Sequence, residues 1–145
     1  MIPERYAPVT YALFRIVFGY VFLIFGLQKF GLLGGQMVDM ASLQGGAAII
    51  ETVAGLLIMI GWFTRPAAFI ASGEMAVAYF YIHVMTVGMG PQGPGMPFAL
   101  LIPQANGGVN AATFCFAFLY MASRGSGIWS VDGAMGGRSG ARRYT

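Results

Sequence analysis

The chain has 145 residues, of which 57% are hydrophobic and only 9% charged; an ordinary soluble domain carries roughly 25% charged residues. A soluble fold could not cover its surface with so few polar groups, so part of the solvent is lipid, and a single integral membrane domain is expected over 1–145. The net charge of +3 is too small and too scattered for a nucleic-acid footprint, and the lone cysteine, Cys115, can form no internal disulfide.

A helix needs roughly 20 mostly apolar residues to cross a hydrocarbon core. Four segments qualify, at 9–30, 46–63, 66–87 and 107–123, followed by a basic tail at 124–145. The expected fold is an all-α membrane protein, a four-transmembrane-helix antiparallel bundle. The first run is longer than a signal-peptide core of about 7–15 residues, and no small-x-small cleavage site follows it, so it reads as a retained helix. Thr64-Arg65-Pro66 makes a tight turn, with Pro66 at a helix start where its missing N–H is harmless. Residues 88–106 hold Pro91, Pro94, Pro97 and Pro103 among glycines and cannot be helical throughout. They include the apolar run Phe98-Ala99-Leu100-Leu101-Ile102 and are expected to lie in the interface as an outer cap loop.

Loop charges give the orientation. One side receives Arg5, Arg65, Arg124, Arg138, Arg142 and Arg143; the other receives Asp39, with Lys29 at a helix end. Basic loops stay inside, so both termini are expected in the cytoplasm of a bacterium, with the chain in its inner membrane. Arg142-Arg143 reads as a solvated tail or a contact with anionic lipid.

Ionisable residues at membrane depth are costly and face a bundle interior or a partner. Here they are Arg15 and Lys29 on the first helix, Glu51 on the second, and Glu74 and His83 on the third. At about 100° per residue, Arg15, Gly19, Phe22, Gly26 and Lys29 share a stripe. Ala47, Glu51 and Gly55 form a small-residue seam on the second helix, and Ala67, Ala71, Glu74 and Ala78 one on the third. The expected ion pairs are Arg15 with Glu74 and Lys29 with Glu51. Arg15–Glu74 reads as a register-fixing pair, and Lys29–Glu51 either as structural or as part of a polar site. Nine residues of regular α-helix put His83 about half a turn from Glu74, so the two should not both face the bundle centre. His83 then points at the cap, at a second subunit or at a bound ring, either as a satisfied interfacial histidine or as a proton-transfer group. Glu51 is the sharpest catalytic candidate, with Lys29 and His83 beside it. One histidine and no CxxC pair give too few ligands for a metal cluster, and there is no haem signature and no second histidine for bis-ligation. The glycines of 88–95 sit among prolines and form no phosphate cradle.

Taken in order, these motifs resemble the DoxX family of small bacterial membrane proteins. The resemblance rests on Arg15-x-x-x-Gly19, Gly26-Leu27-Gln28-Lys29-Phe30, Glu51-x-x-x-Gly55-Leu56-Leu57 and Gly61-Trp62-Phe63-Thr64-Arg65-Pro66-Ala67-Ala68. It continues through Met75-x-x-Ala78, His83, Asn106-Gly107-Gly108 and Gly125-x-Gly127-x-Trp129-Ser130-x-Asp132. The family often has a glutamate directly after Asn-Gly-Gly; here that position is Val109, followed by the neutral Asn110. The resemblance implies a four-helix bundle and a link to quinone-coupled redox complexes, since some relatives are membrane subunits of thiosulfate:quinone oxidoreductase.

The function expected is therefore a membrane subunit of a quinone-linked redox complex, with lipid and other membrane subunits as partners. No covalently bound cofactor is indicated, and a quinone is the cofactor that fits. Candidate ring-binding residues are Glu51, Tyr79, Tyr81 and His83. The alternatives are a non-catalytic accessory subunit that anchors or seals a larger complex and, more weakly supported, a small-solute transporter.

Overall fold

The computed structural model describes residues 3–136. Arg138, Arg142 and Arg143 of the basic tail lie outside the described residues. All regular structure among the described residues is helical. A short 3-10 turn, Glu4–Tyr6, leads into α1, Ala7–Lys29, with Pro8 in its first turn. Then come α2, Leu43–Ile60, and α3, Thr64–Val77, which runs without a break into a π-helical segment, Ala78–Gly88. Two single turns, α4 (Phe98–Leu101) and α5 (Pro103–Asn106), precede α6, Val109–Arg124, and a final turn, α7, Val131–Ala134. By length and composition, three helical stretches can cross a membrane: Glu4–Lys29, Leu43–Ile60 and Thr64–Gly88. The expected 66–87 helix is thus two helical forms in series, and the expected 107–123 helix is the 16-residue α6.

Local chemistry sets the boundaries. The Ser42 hydroxyl accepts from Gly45 N at 3.3 Å and caps the start of α2. Gly61, with φ +74, ends α2 in the left-handed conformation, and Trp62 N donates back to Leu57 O at 2.9 Å. Only residues 61–63 separate α2 from α3, so the two helices fold back on each other.

Glycines bring α1 and α2 into backbone contact. A Cβ on Gly19 would lie 2.5 Å from Met59 N, and one on Gly55 would lie 2.5 Å from Leu23 N. This is the close approach that small residues permit between helices in lipid. α3 packs mainly on α6 and also on α2, while α4 and α5 pack on the π-helical segment. The buried cluster joins Phe22, Ile58, Ala68, Ala71, Met75, Phe114, Phe118 and Met121. Phe22 and Phe118 meet edge to face at 4.7 Å. The outer faces are apolar as well, with Val17, Ile49, Val53, Phe69, Phe80 and Phe116 all exposed. Contiguous apolar surface on this scale is foreign to a soluble monomer and suits contact with lipid chains.

Candidate functional site

The ionisable residues separate into two groups along α1, one at its C-terminal end and one around Arg15 in its N-terminal half. At its C-terminal end, Lys29 Nζ lies 2.7 Å from Glu51 Oε1. The two residues belong to the facing stripes of α1 and α2, whose glycines hold the backbones close enough for the side chains to meet. Glu51 is 2% exposed, and no protein group reaches its second oxygen, Oε2. Glu74 is half-buried within Coulombic range of both Glu51 and Lys29, and its Oε2 also has no protein partner. Among the described residues, the ion pair that Lys29 makes is with Glu51.

Beside this cluster is a cavity of about 430 Å³. Its polar lining comes from Gln28, Lys29, Gln36, Glu51, His83 and Asn110, and its apolar walls from Phe25, Met75, Ala111 and Phe114. Every long helix contributes to it, and the loop after α1 adds Gly35 and Gln36. Its volume is in the usual range for a small-molecule pocket, and so is its mixture of apolar walls with a few converging polar groups.

His83 lines this cavity with Lys29 and Glu51, whereas Glu74 is not among the lining residues, and its ring meets the 88–106 segment, one of the directions expected for it. The half-turn separation from Glu74 was projected along a regular α-helix, whereas Ala78–Gly88 winds as a π-helix, which turns less per residue. His83 Nδ1 is 3.2 Å from the Asn106 carbonyl oxygen. Asn106 is itself anchored: its Nδ2 donates to Ala99 O at 2.6 Å, and its Oδ1 accepts from Gly108 N at 2.7 Å. The Asn-Gly-Gly element thus holds the histidine ring.

Two other expected ring ligands are elsewhere. The Tyr79 hydroxyl donates to Leu100 O at 2.8 Å and fastens α4, while Tyr81 is 53% exposed; neither lines the cavity. Gln28, Gln36 and Asn110 do line it, and sequence reasoning did not select them. Their polar side chains lie one residue from Lys29, in a loop, and one residue after Val109.

The expected Arg15–Glu74 pair does not form. Arg15 is fully buried in the N-terminal half of α1, where it donates to three backbone carbonyls. Nη2 reaches Trp129 O at 2.6 Å, Nη1 reaches Ile128 O at 3.1 Å, and Nη1 also bonds Ser126 O. The irregular segment after α6 presents these carbonyls because Gly125 and Gly127 have positive φ, turning the chain back over α1. Around Arg15, the Tyr11 hydroxyl donates to Gly125 O at 2.5 Å, and Arg124 stacks on the Tyr11 ring at 4.7 Å. Asp132 Oδ1 accepts from Phe63 N at 3.2 Å, and Asp132 N donates to Gly61 O at 3.1 Å. The Gly61-Trp62-Phe63 turn and the segment through Asp132 thus form one clasp with Arg15 inside it. Arg15 itself is 0% exposed and both its Nη atoms donate to backbone carbonyls, which makes the Lys29–Glu51–His83 cavity the better candidate site.

Comparison with known proteins agrees with the motifs. An uncharacterized protein of Haemophilus influenzae is 37% identical over 134 residues, covering 89% of this chain and 92% of that protein. No solved structure matches the chain. The DoxX family model matches residues 10–84, which include Arg15, Lys29, Glu51, Glu74 and His83. The chain belongs to the DoxX family and is a membrane protein.

Proposed function

We propose that this protein is a four-span membrane subunit of a quinone-linked redox complex, and that the quinone ring sits in the cavity between Phe25, Met75 and Phe114. The observation that carries this reading is the pairing of an apolar slot with Glu51, Lys29 and His83 at one wall. Quinone chemistry moves protons together with electrons, so it needs an apolar berth for the ring and proton-handling groups beside the ring oxygens. In this reading Glu51 and His83 exchange protons with those oxygens, and Lys29 holds Glu51 in place. The sequence carries no CxxC pair and no second histidine for bis-ligation of a haem; in this reading a partner subunit delivers the electrons.

The membrane placement belongs to the same proposal. α6 spans about 24 Å at 1.5 Å per residue; with α5 before it, it completes a fourth crossing. The end carrying Arg5, Arg65 and Arg124 faces the cytoplasm of the bacterial inner membrane under the positive-inside rule. The cavity and the 88–106 cap then lie in the outer half.

The test is quinone-coupled turnover of the complex purified in mild detergent, comparing the native protein with a Glu51→Gln/His83→Gln double variant. Positioned proton transfer contributes roughly 10²–10⁴-fold, so turnover should fall about 100-fold with the complex still assembled. Unchanged turnover would overturn the reading.

A second reading, a non-catalytic subunit that anchors or seals a larger complex, draws support from a separate groove. This groove is lined by Phe69 of α3 and by Phe116, Leu119 and Tyr120 of α6, all exposed. Under that reading the double variant keeps full turnover, while deletion of the chain disperses the complex.

A further inference from the structure

The cavity is rich in hydrogen-bond acceptors. Glu51 Oε1 already receives Lys29 Nζ at 2.7 Å, but Oε2 of the same 2%-exposed residue has no protein donor although Glu51 lines the cavity. A buried acceptor left empty is the costly arrangement, and a matching donor is strongly favoured there. His83 adds a second acceptor. A backbone carbonyl can only accept, so the 3.2 Å contact with Asn106 O puts the proton on Nδ1. In the neutral ring Nε2 then carries the free lone pair. Glu74, the remaining ionisable neighbour of Glu51 and Lys29, has an unpartnered oxygen of its own but is not among the residues that line the cavity.

The donor side is weaker. Lys29 has protons left after the Glu51 contact, but its side chain is 29% exposed and can hydrate them. Gln28, Gln36 and Asn110 offer a donor and an acceptor each, and so favour neither kind of ligand.

Resting on the quinone reading of this cavity, we infer that the site is selective for the reduced, hydroxyl-bearing ring, with Glu51 Oε2 and His83 accepting from its two hydroxyls. A hydroquinone has two donors to place against these acceptors. A quinone has only carbonyl oxygens, which leave Glu51 Oε2 empty and bring a partial negative charge toward it. The preference concerns binding: the form held is the one made when the quinone takes two electrons from the partner subunit and two protons, and the oxidised ring, which has no donor for the carboxylate, is held less tightly.

Three probes separate the possibilities on the detergent-purified native complex, by anaerobic equilibrium dialysis: trimethylhydroquinone, trimethyl-1,4-benzoquinone and the dimethyl ether of the hydroquinone. The ether keeps the ring and its oxygens but has no donor. A hydrogen bond to a charged group makes the hydroquinone bind about tenfold or more tightly than either comparator. The Glu51→Gln variant, checked for a monodisperse gel-filtration profile, should cut that preference to about threefold or less, because an amide offers only a neutral acceptor. Equal or tighter binding of the quinone or the ether overturns the inference and leaves the ring site standing. Failure of all three to bind overturns the ring site together with the inference. An undiminished preference in Glu51→Gln overturns the assignment to Glu51. The ranking on the native complex needs no variant, so a poorly folded Glu51→Gln does not protect the inference.

Discussion

Arg15 and Trp129 are 114 residues apart in sequence, yet the fully buried Arg15 donates through Nη2 to the Trp129 carbonyl at 2.6 Å. The guanidinium fans its N–H groups across carbonyls of 126, 128 and 129, a geometry that a point-charge ammonium cannot copy. Arg15→Leu should therefore destabilise the protein by about 2 kcal/mol or more, the value of one to two hydrogen bonds to a charged group. Arg15→Lys should recover only part of this. Thermal unfolding in detergent gives the first readout. Limited proteolysis gives the second, with new cleavage expected between 125 and 130.

The α1–α2 contact should be intolerant of side chains. Gly19→Ala places a methyl 2.5 Å from Met59 N, a backbone atom that cannot step aside. Overpacking of this kind costs typically 1–3 kcal/mol. Gly73→Ala, which meets nothing within 4 Å on a solvent- or lipid-facing surface of α3, is the control and should leave unfolding unchanged.

The Lys29–Glu51 pair separates stability from function. Lys29→Met leaves Glu51 buried without its cation, which costs roughly 3 kcal/mol; the penalty is at the low end because Lys29 itself reaches water. The Lys29→Met/Glu51→Leu double variant should regain most of that stability, since a hydrophobic pair can replace a buried ion pair. It should nevertheless lack quinone-coupled turnover. Recovery of turnover along with stability would make the pair purely structural.

Topology has its own test. In a Cys115→Ala background, Trp62→Cys should react with an impermeant maleimide only from the cytoplasmic side. Gln36→Cys and Gln92→Cys should react only from the outside. Reaction of all three from one side would contradict the four-span arrangement.

What the sequence revealed depended on regular periodicity. Lys29 and Glu51 lie on small-residue stripes of two α-helices, so helical spacing alone brought them together. Arg15 sat on the same stripe, but its partners are carbonyls of an irregular segment, and backbone acceptors leave no mark in a residue pattern. The usable signal was Gly125-x-Gly127, two glycines able to turn a chain back over a helix. His83 was projected along an α-helix, whereas the chain there winds as a π-helix; its approach to the 88–106 segment was among the directions the sequence left open. No charge or proline inside 78–88 announces that change of pitch. The prolines of 88–106 marked a stretch that is not one continuous helix, whereas the hydrogen bond that ties Tyr79 to Leu100 left no mark in the sequence.

The most direct measurement is photolabelling of the native complex with an azidoquinone, followed by peptide mapping. Label is expected on the residues around the cavity, at Phe25–Lys29, Met75, His83 and Phe114, suppressed by excess trimethylhydroquinone and lost in the Glu51→Gln/His83→Gln variant. Label confined to partner subunits, or to the Trp62 and Trp129 end of this chain, would contradict that expectation.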